Sequence, residues 1–274
     1  MGVLQSGAGT GVVLGLFVSP LLGETTGLRA AFLAMAALSC AALVVAALFL
    51  PRAAPPRPGA EPLLTQVSRI AGQRHFAYLS SCVFLALFSA YGITAWLPTY
   101  LRNDFGFSGA ASGAVASLIN VALLLASPFA GTLSDRAGTR AAVVLTGFGV
   151  LIAAFSLLVG FHRPAWVAVS AALGGVGLAL TLPIITTLTT EVFGIGRAGI
   201  AVSLNLAFGQ IASTISGVLF GYILDATGSF TTVWIVGLAV AALGIAPAVA
   251  LRTLEPAVGS RAARPEGSET SSPR

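Results

Sequence analysis

Charge is what this sequence has least of. Only 8% of its 274 residues are charged, against about 25% in soluble domains. Lysine is absent, so all 14 basic residues are arginine, and the acidic residues number 9. So few ionised side chains cannot clothe a water-facing surface on a chain of this size, which excludes a soluble enzyme or binding module. The two cysteines, Cys40 and Cys82, lie inside apolar runs and read as small buried hydrophobes that carry no redox information. His75 and His162 fall in separate loops, too few and too far apart to hold a metal. A phosphate-cradling glycine loop, an H-E-x-x-H pair and an embedded acidic pair are all missing. ATP-driven transport, intramembrane proteolysis and metal-dependent transfer are thereby disfavoured, and neither catalysis nor a cofactor is expected.

What is present is apolar sequence. Hydrophobic residues make up 56%, too many for a disordered chain, and the 32 glycines lack the three-residue period of collagen. A helix needs about 20 apolar residues to cross a bilayer core, where backbone groups cannot be left unpaired. Eight segments meet that length, at about 3–22, 28–50, 77–101, 110–133, 141–161, 164–189, 199–224 and 230–251, with no ionisable residue near the middle of any. The fold class is therefore all-α, a polytopic membrane bundle of eight helices. Met1 is followed by no basic region or small-residue cleavage site, so no signal peptide is read.

Two spans (1–50) precede a polar linker (51–76), six follow it (77–252), and 253–274 form a polar tail. Pro51, Pro55, Pro56, Pro58 and Pro62 bar a helix from the first half of the linker, while Leu63 to Arg74 has the pattern of a short amphipathic surface helix. The formal charge of +5 resembles a nucleic-acid footprint, but the arginines fall between the apolar runs, where lipid headgroups are the better partners. No nucleic acid is expected to bind. With the linker and both termini in the cytoplasm, eleven arginines lie inside and only Arg29, Arg102 and Arg163 outside. That bias follows the positive-inside rule.

At the inner end of the fourth span the chain reads Gly131-Thr-Leu-Ser-Asp135-Arg136-Ala-Gly138-Thr-Arg140. This resembles the G-x-L-x-D-R-x-G-R-R loop of the major facilitator superfamily, with threonine before the last arginine. Three further segments resemble the family in order: Gly27-Leu28-Arg29-Ala-Ala-Phe32, Trp96-Leu97-Pro98-Thr99-Tyr100-Leu101 and Gly221-Tyr-Ile-Leu-Asp225-Ala-Thr-Gly228-Ser229. The resemblance places the spans as helices five to twelve of a twelve-helix transporter, with an almost complete C-terminal six-helix half and four helices upstream of Met1. It implies a secondary transporter of a small organic solute in a bacterial cell (inner) membrane, working by alternating access with a coupling proton. It also implies a gating role for Gly131, Asp135, Arg136, Gly138 and Arg140. The alternative is a truncated, non-transporting fragment or assembly subunit, which would pair with itself or with a separate N-terminal half.

Small residues recur every four positions in two spans. Gly7, Gly11, Gly15, Ser19 and Gly23 do so in the first, and Asn205, Gly209, Ser213, Gly217 and Gly221 in the seventh. Such stripes let helices pack closely in lipid; by resemblance, the partner helix comes from the opposite half. Gly15 to Gly23 also partly matches the family's G-x-x-x-G-P-x-x-G antiporter segment, with serine for the middle glycine.

Transporters place their substrate near the midplane, on helices broken by glycine or proline. Ser80, Ser81, Tyr91 and Thr94 stand at depth on the third span and Asn120 on the fourth. Thr181, Thr186 and Thr187 surround Pro183 on the sixth, and the seventh carries Asn205 and Gln210. An amide in hydrocarbon costs a few kcal/mol unless paired. Asn120, Asn205 and Gln210 are thus read either as interhelical hydrogen bonds or as cavity lining. Tyr91, Thr94, Thr181 and Thr186 complete the candidate cavity. Asp104, Asp135, Glu191 and Asp225 all sit at helix ends, leaving a neutral cavity that favours hydrophobic or weakly polar solutes. A coupling acid would belong to the missing front half.

Overall fold

A computed structural model describes residues 27–49 and 61–253, whose regular structure is helical throughout. The expected first span, with Gly7, Gly11 and Gly15, lies outside the described residues, as do 50–60 and the tail from 254. The helices are α1 (Leu28–Phe49), α2 (Leu63–Ala71), α3 (Arg74–Phe105), α4 (Gly109–Ala137), α5 (Arg140–Gly160), α6 (Pro164–Phe193), α7 (Ile195–Thr227), α8 (Phe230–Leu243) and α9 (Ile245–Ala250). Six stretches are long and apolar enough to cross a membrane, the last running from Phe230 to Thr253. Of the eight expected spans, six are met by these stretches; the second is helical as α1, with a shorter apolar stretch at Phe32–Val45, and the first lies outside the described residues.

Most of the helices overrun the apolar windows read from the sequence. Span three was expected over 77–101, yet α3 starts at Arg74 and ends at Phe105. The surface helix is correspondingly shorter, stopping at Ala71. Helical hydrogen bonding continues through charged end residues until the backbone is turned, and Gly138 shows how. Its φ of +67° ends α4 in the left-handed region, which glycine alone enters without strain. Ser108 opens the same helix by accepting a hydrogen bond from the Ala111 amide at 3.3 Å.

Helices α3 to α9 pack around one core. The centre of the bundle is α6, which lies against α3, α4, α5 and α7; with α3 it is the most buried span, whereas α4 and α7 are the least. Close approach explains the Gly174-Gly175-Val-Gly177 cluster of α6. A Cβ on Gly175 would overlap the carbonyl oxygen of Ile119 on α4, and one on Gly177 would lie 3.0 Å from the carbonyl oxygen of Gly147 on α5. Far from the Arg74 end of the bundle, Trp234 is stacked on Phe230 at 6.2 Å and meets Tyr100 edge-on at 5.6 Å.

Candidate functional site

The antiparallel hairpins bring Arg74, Arg136, Arg140, Arg197 and Arg252 to one end of the bundle. There the predicted gating loop forms the turn between α4 and α5. Gly131 and Arg136 are exposed, and the side chain of Asp135 lies outside the described residues. Arg140 begins α5 and holds Glu191, in the last turn of α6, by an ion pair of 2.6 Å with both side chains 30% exposed. The loop is thereby tied to the central helix.

One helical step deeper, a polar chain crosses three helices. The Ser80 hydroxyl on α3 donates to Asn205 Oδ1 on α7 at 2.5 Å, and Asn205 Nδ2 donates to Thr189 Oγ1 on α6 at 2.9 Å. Thr189 in turn donates to the Ile185 carbonyl at 2.7 Å. Asn205 is 3% exposed, so it binds helices together and does not line open space. Thr189 was missed from the sequence because threonines in helices ordinarily bond their own backbone, and nothing in its run of threonines marks it out.

Toward the opposite end, the indole Nε1 of Trp96 on α3 donates to the Gly217 carbonyl of α7 at 3.0 Å. Its ring covers Gly221, where a Cβ would stand 2.8 Å from Trp96 Cζ2. Gly209 lies against Val83 and Leu87 of the same α3. The expectation that this stripe meets the opposite half is thus corrected at Gly209 and Gly221, which meet a helix of their own bundle. At Gly217 a Cβ would meet nothing within 4 Å. A four-residue period shows that one face is small without showing which neighbour it faces.

The remaining cavity candidates divide by their bonding. Thr94 and Thr186 donate to the carbonyls of Ala90 and Leu182, at 2.9 and 2.8 Å. Thr181 is fully buried and donates to Gly177 and Leu178, so it too faces packing and not open space. Tyr91 is 38% exposed at mid-span. Gln210 is exposed, its Oε1 accepting only a long bond of 3.3 Å from Ser213. Asn120 is half-buried, and its Nδ2 is enclosed with no hydrogen-bond partner. Among the described residues no cluster of side chains could hold a metal ion.

The sequence profile of the Major Facilitator Superfamily matches residues 1–100 and 79–273. The multidrug resistance protein MdtG of Proteus mirabilis is 27% identical over 240 residues, covering 85% of this chain and 59% of that protein. The multidrug resistance protein Stp of Mycobacterium tuberculosis is 29% identical over 157 residues, which is 57% of this chain and 29% of Stp. Among solved structures, the Escherichia coli fucose:proton symporter FucP aligns with a TM-score of 0.58 at 16% identity, over 83% of this chain and 55% of FucP. A peptide transporter, POT, crystallised with sulfate, aligns with a TM-score of 0.60 at 18% identity, over 71% of this chain and 42% of POT. The chain therefore spans less than two thirds of the length of each. With the whole bundle falling within the matched residues, the chain belongs to the Major Facilitator Superfamily.

Proposed function

We propose that this chain forms the solute pathway of a secondary transporter, which moves a small, weakly polar organic solute by alternating access. The observation that carries this reading is the pair of amides, Asn120 and Gln210, at membrane depth without an interhelical bond. An unpaired amide in hydrocarbon costs a few kcal/mol, and where such groups persist in a membrane span they mark substrate or water. Tyr91, Thr94 and Thr186 join them as cavity lining, and the Arg140–Glu191 pair acts as a gate that must open during the cycle. The names of two relatives, both multidrug resistance proteins, are in keeping with an organic solute. The acids Asp104, Glu191 and Asp225 lie in the last turns of their helices, so the titrating group is expected outside the described residues. The arginine-bearing end faces the cytoplasm of a bacterial cell, beside anionic lipid.

The test is flux into proteoliposomes of the full chain under an imposed pH gradient, using a panel of neutral aromatic solutes. Wild type should accumulate or expel at least one solute and stop when a protonophore is added. Asn120→Leu should abolish that flux while keeping or raising thermal stability, because it removes an unsatisfied donor. Absence of gradient-driven flux for the whole panel contradicts the reading.

A further inference from the structure

We propose that Phe161, Arg163 and Trp166, at the turn between α5 and α6, hold a phospholipid headgroup in the leaflet opposite the arginine-bearing end. The surface lies outside the solute pathway, and the proposal stands without the transporter reading.

The sequence makes this turn short and fixed. Helix α5 ends at Gly160, the Phe161 amide donates to the Leu157 carbonyl at 3.0 Å, and α6 begins at Pro164. The proline keeps Arg163 extended, at φ −137° and ψ 137°. Across the turn the rings of Phe161 and Trp166 meet, with centroids 5.1 Å apart and planes 31° apart. Both rings remain open, 48% and 39% exposed, whereas Trp234 is fully buried and Trp96 is spent on Gly217.

Helix length sets the depth of this pair. The 21 residues of α5, at about 1.5 Å each, span about 31 Å, which matches the roughly 30 Å core of a bilayer. With Arg140 and Glu191 paired at one boundary, Phe161 and Trp166 emerge at the other. That is the level at which indoles collect, with the ring against acyl stems and the N–H toward polar groups.

Charge selects the headgroup. No acidic residue occurs between Asp135 and Glu191, and among the described residues Arg163 is exposed and forms no ion pair. Trp166 Nε1 likewise donates to no protein group among them. One guanidinium and one indole N–H beside apolar rings fit a phosphodiester, whose oxygens accept from both. Two half-exposed rings and one guanidinium offer much less than the about 800 Å² per partner that a stable protein interface buries. The occupant is therefore lipid.

The full chain in detergent is titrated with phosphatidylcholine bearing a nitroxide on its headgroup, and tryptophan fluorescence is followed. The signal of Trp166 is the difference between wild type and Trp166→Phe. Its quenching should saturate and be relieved by unlabelled phosphatidylcholine, but not by diacylglycerol or inorganic phosphate. Arg163→Gln should shift the midpoint severalfold, an effect that a ring merely placed at that depth would not show. In vesicles the headgroup label should quench Trp166 more than a label near the acyl methyl end. Quenching that rises without saturation, or is unchanged by Arg163→Gln, overturns the headgroup site. Relief by inorganic phosphate overturns the lipid as its source, and relief by diacylglycerol overturns phosphate recognition. A Trp166 shielded from every lipid-borne label overturns the proposal in favour of a protein neighbour.

Discussion

The indole Nε1 of Trp96 lies 3.0 Å from the carbonyl oxygen of Gly217, and its ring covers Gly221 one helical turn away. The missing side chain of Gly221 leaves room for the indole, which reaches the α7 backbone at Gly217. The Ser80–Asn205 bond joins the same two helices near their other end. Hydrogen bonds toward both ends thus tie α3 to α7.

Trp96→Phe keeps the ring and loses the donor. Polar contacts between membrane helices average about 0.6 kcal/mol and reach about 1.7, so the loss should be about 1 kcal/mol. Gly221→Val should cost more, since its Cβ enters the space of the indole. Gly217→Ala should match wild type or gain slightly, because open space surrounds the added methyl and alanine favours helix. Thermal unfolding in one detergent ranks all three; a loss for Gly217→Ala as large as that for Gly221→Val contradicts the assignment of the indole to Gly221 alone.

Spans could be read from sequence because the bilayer imposes a length and a polarity that no tertiary context overrides. Charge likewise marked the ends, and Arg140 and Glu191 both lay there as expected, although their pairing was not visible. Partner choice was the illegible part. Asn205 could have faced a cavity or a helix, and its 16-residue separation from Thr189 and 125-residue separation from Ser80 carry no periodic signal. The glycine stripe of α7 was legible as a packing face, but only the assembled bundle shows Val83, Leu87 and Trp96 opposite it.

Asn205→Leu should destabilise the bundle by about 1 kcal/mol, because it removes both side-chain links of the three-helix chain. In a double-mutant cycle with Ser80→Ala, the coupling energy should be at least about 0.5 kcal/mol. Strictly additive losses in thermal unfolding contradict a direct link between the two.

Arg140→Gln and Glu191→Gln should each change stability by less than about 1 kcal/mol, since the pair is partly exposed. Their effect should instead appear in transport. Each neutralisation should slow flux severalfold, and exchanging the two charges by Arg140→Glu with Glu191→Arg should restore part of it. Flux unchanged by either single change contradicts the gate.

In the proposed transporter, the face of α7 bearing Gln210 lines a water-filled solute path. Gln210→Cys, in a chain with Cys40→Ser and Cys82→Ala, is the most direct probe of it. Its reaction with a charged, membrane-impermeant thiol reagent is followed in proteoliposomes with and without a transported solute. Modification from the aqueous phase, slowed severalfold by the solute, is the expected result. A thiol that reacts only with lipid-soluble reagents, at a rate indifferent to solute, would place Gln210 against the bilayer and contradict it.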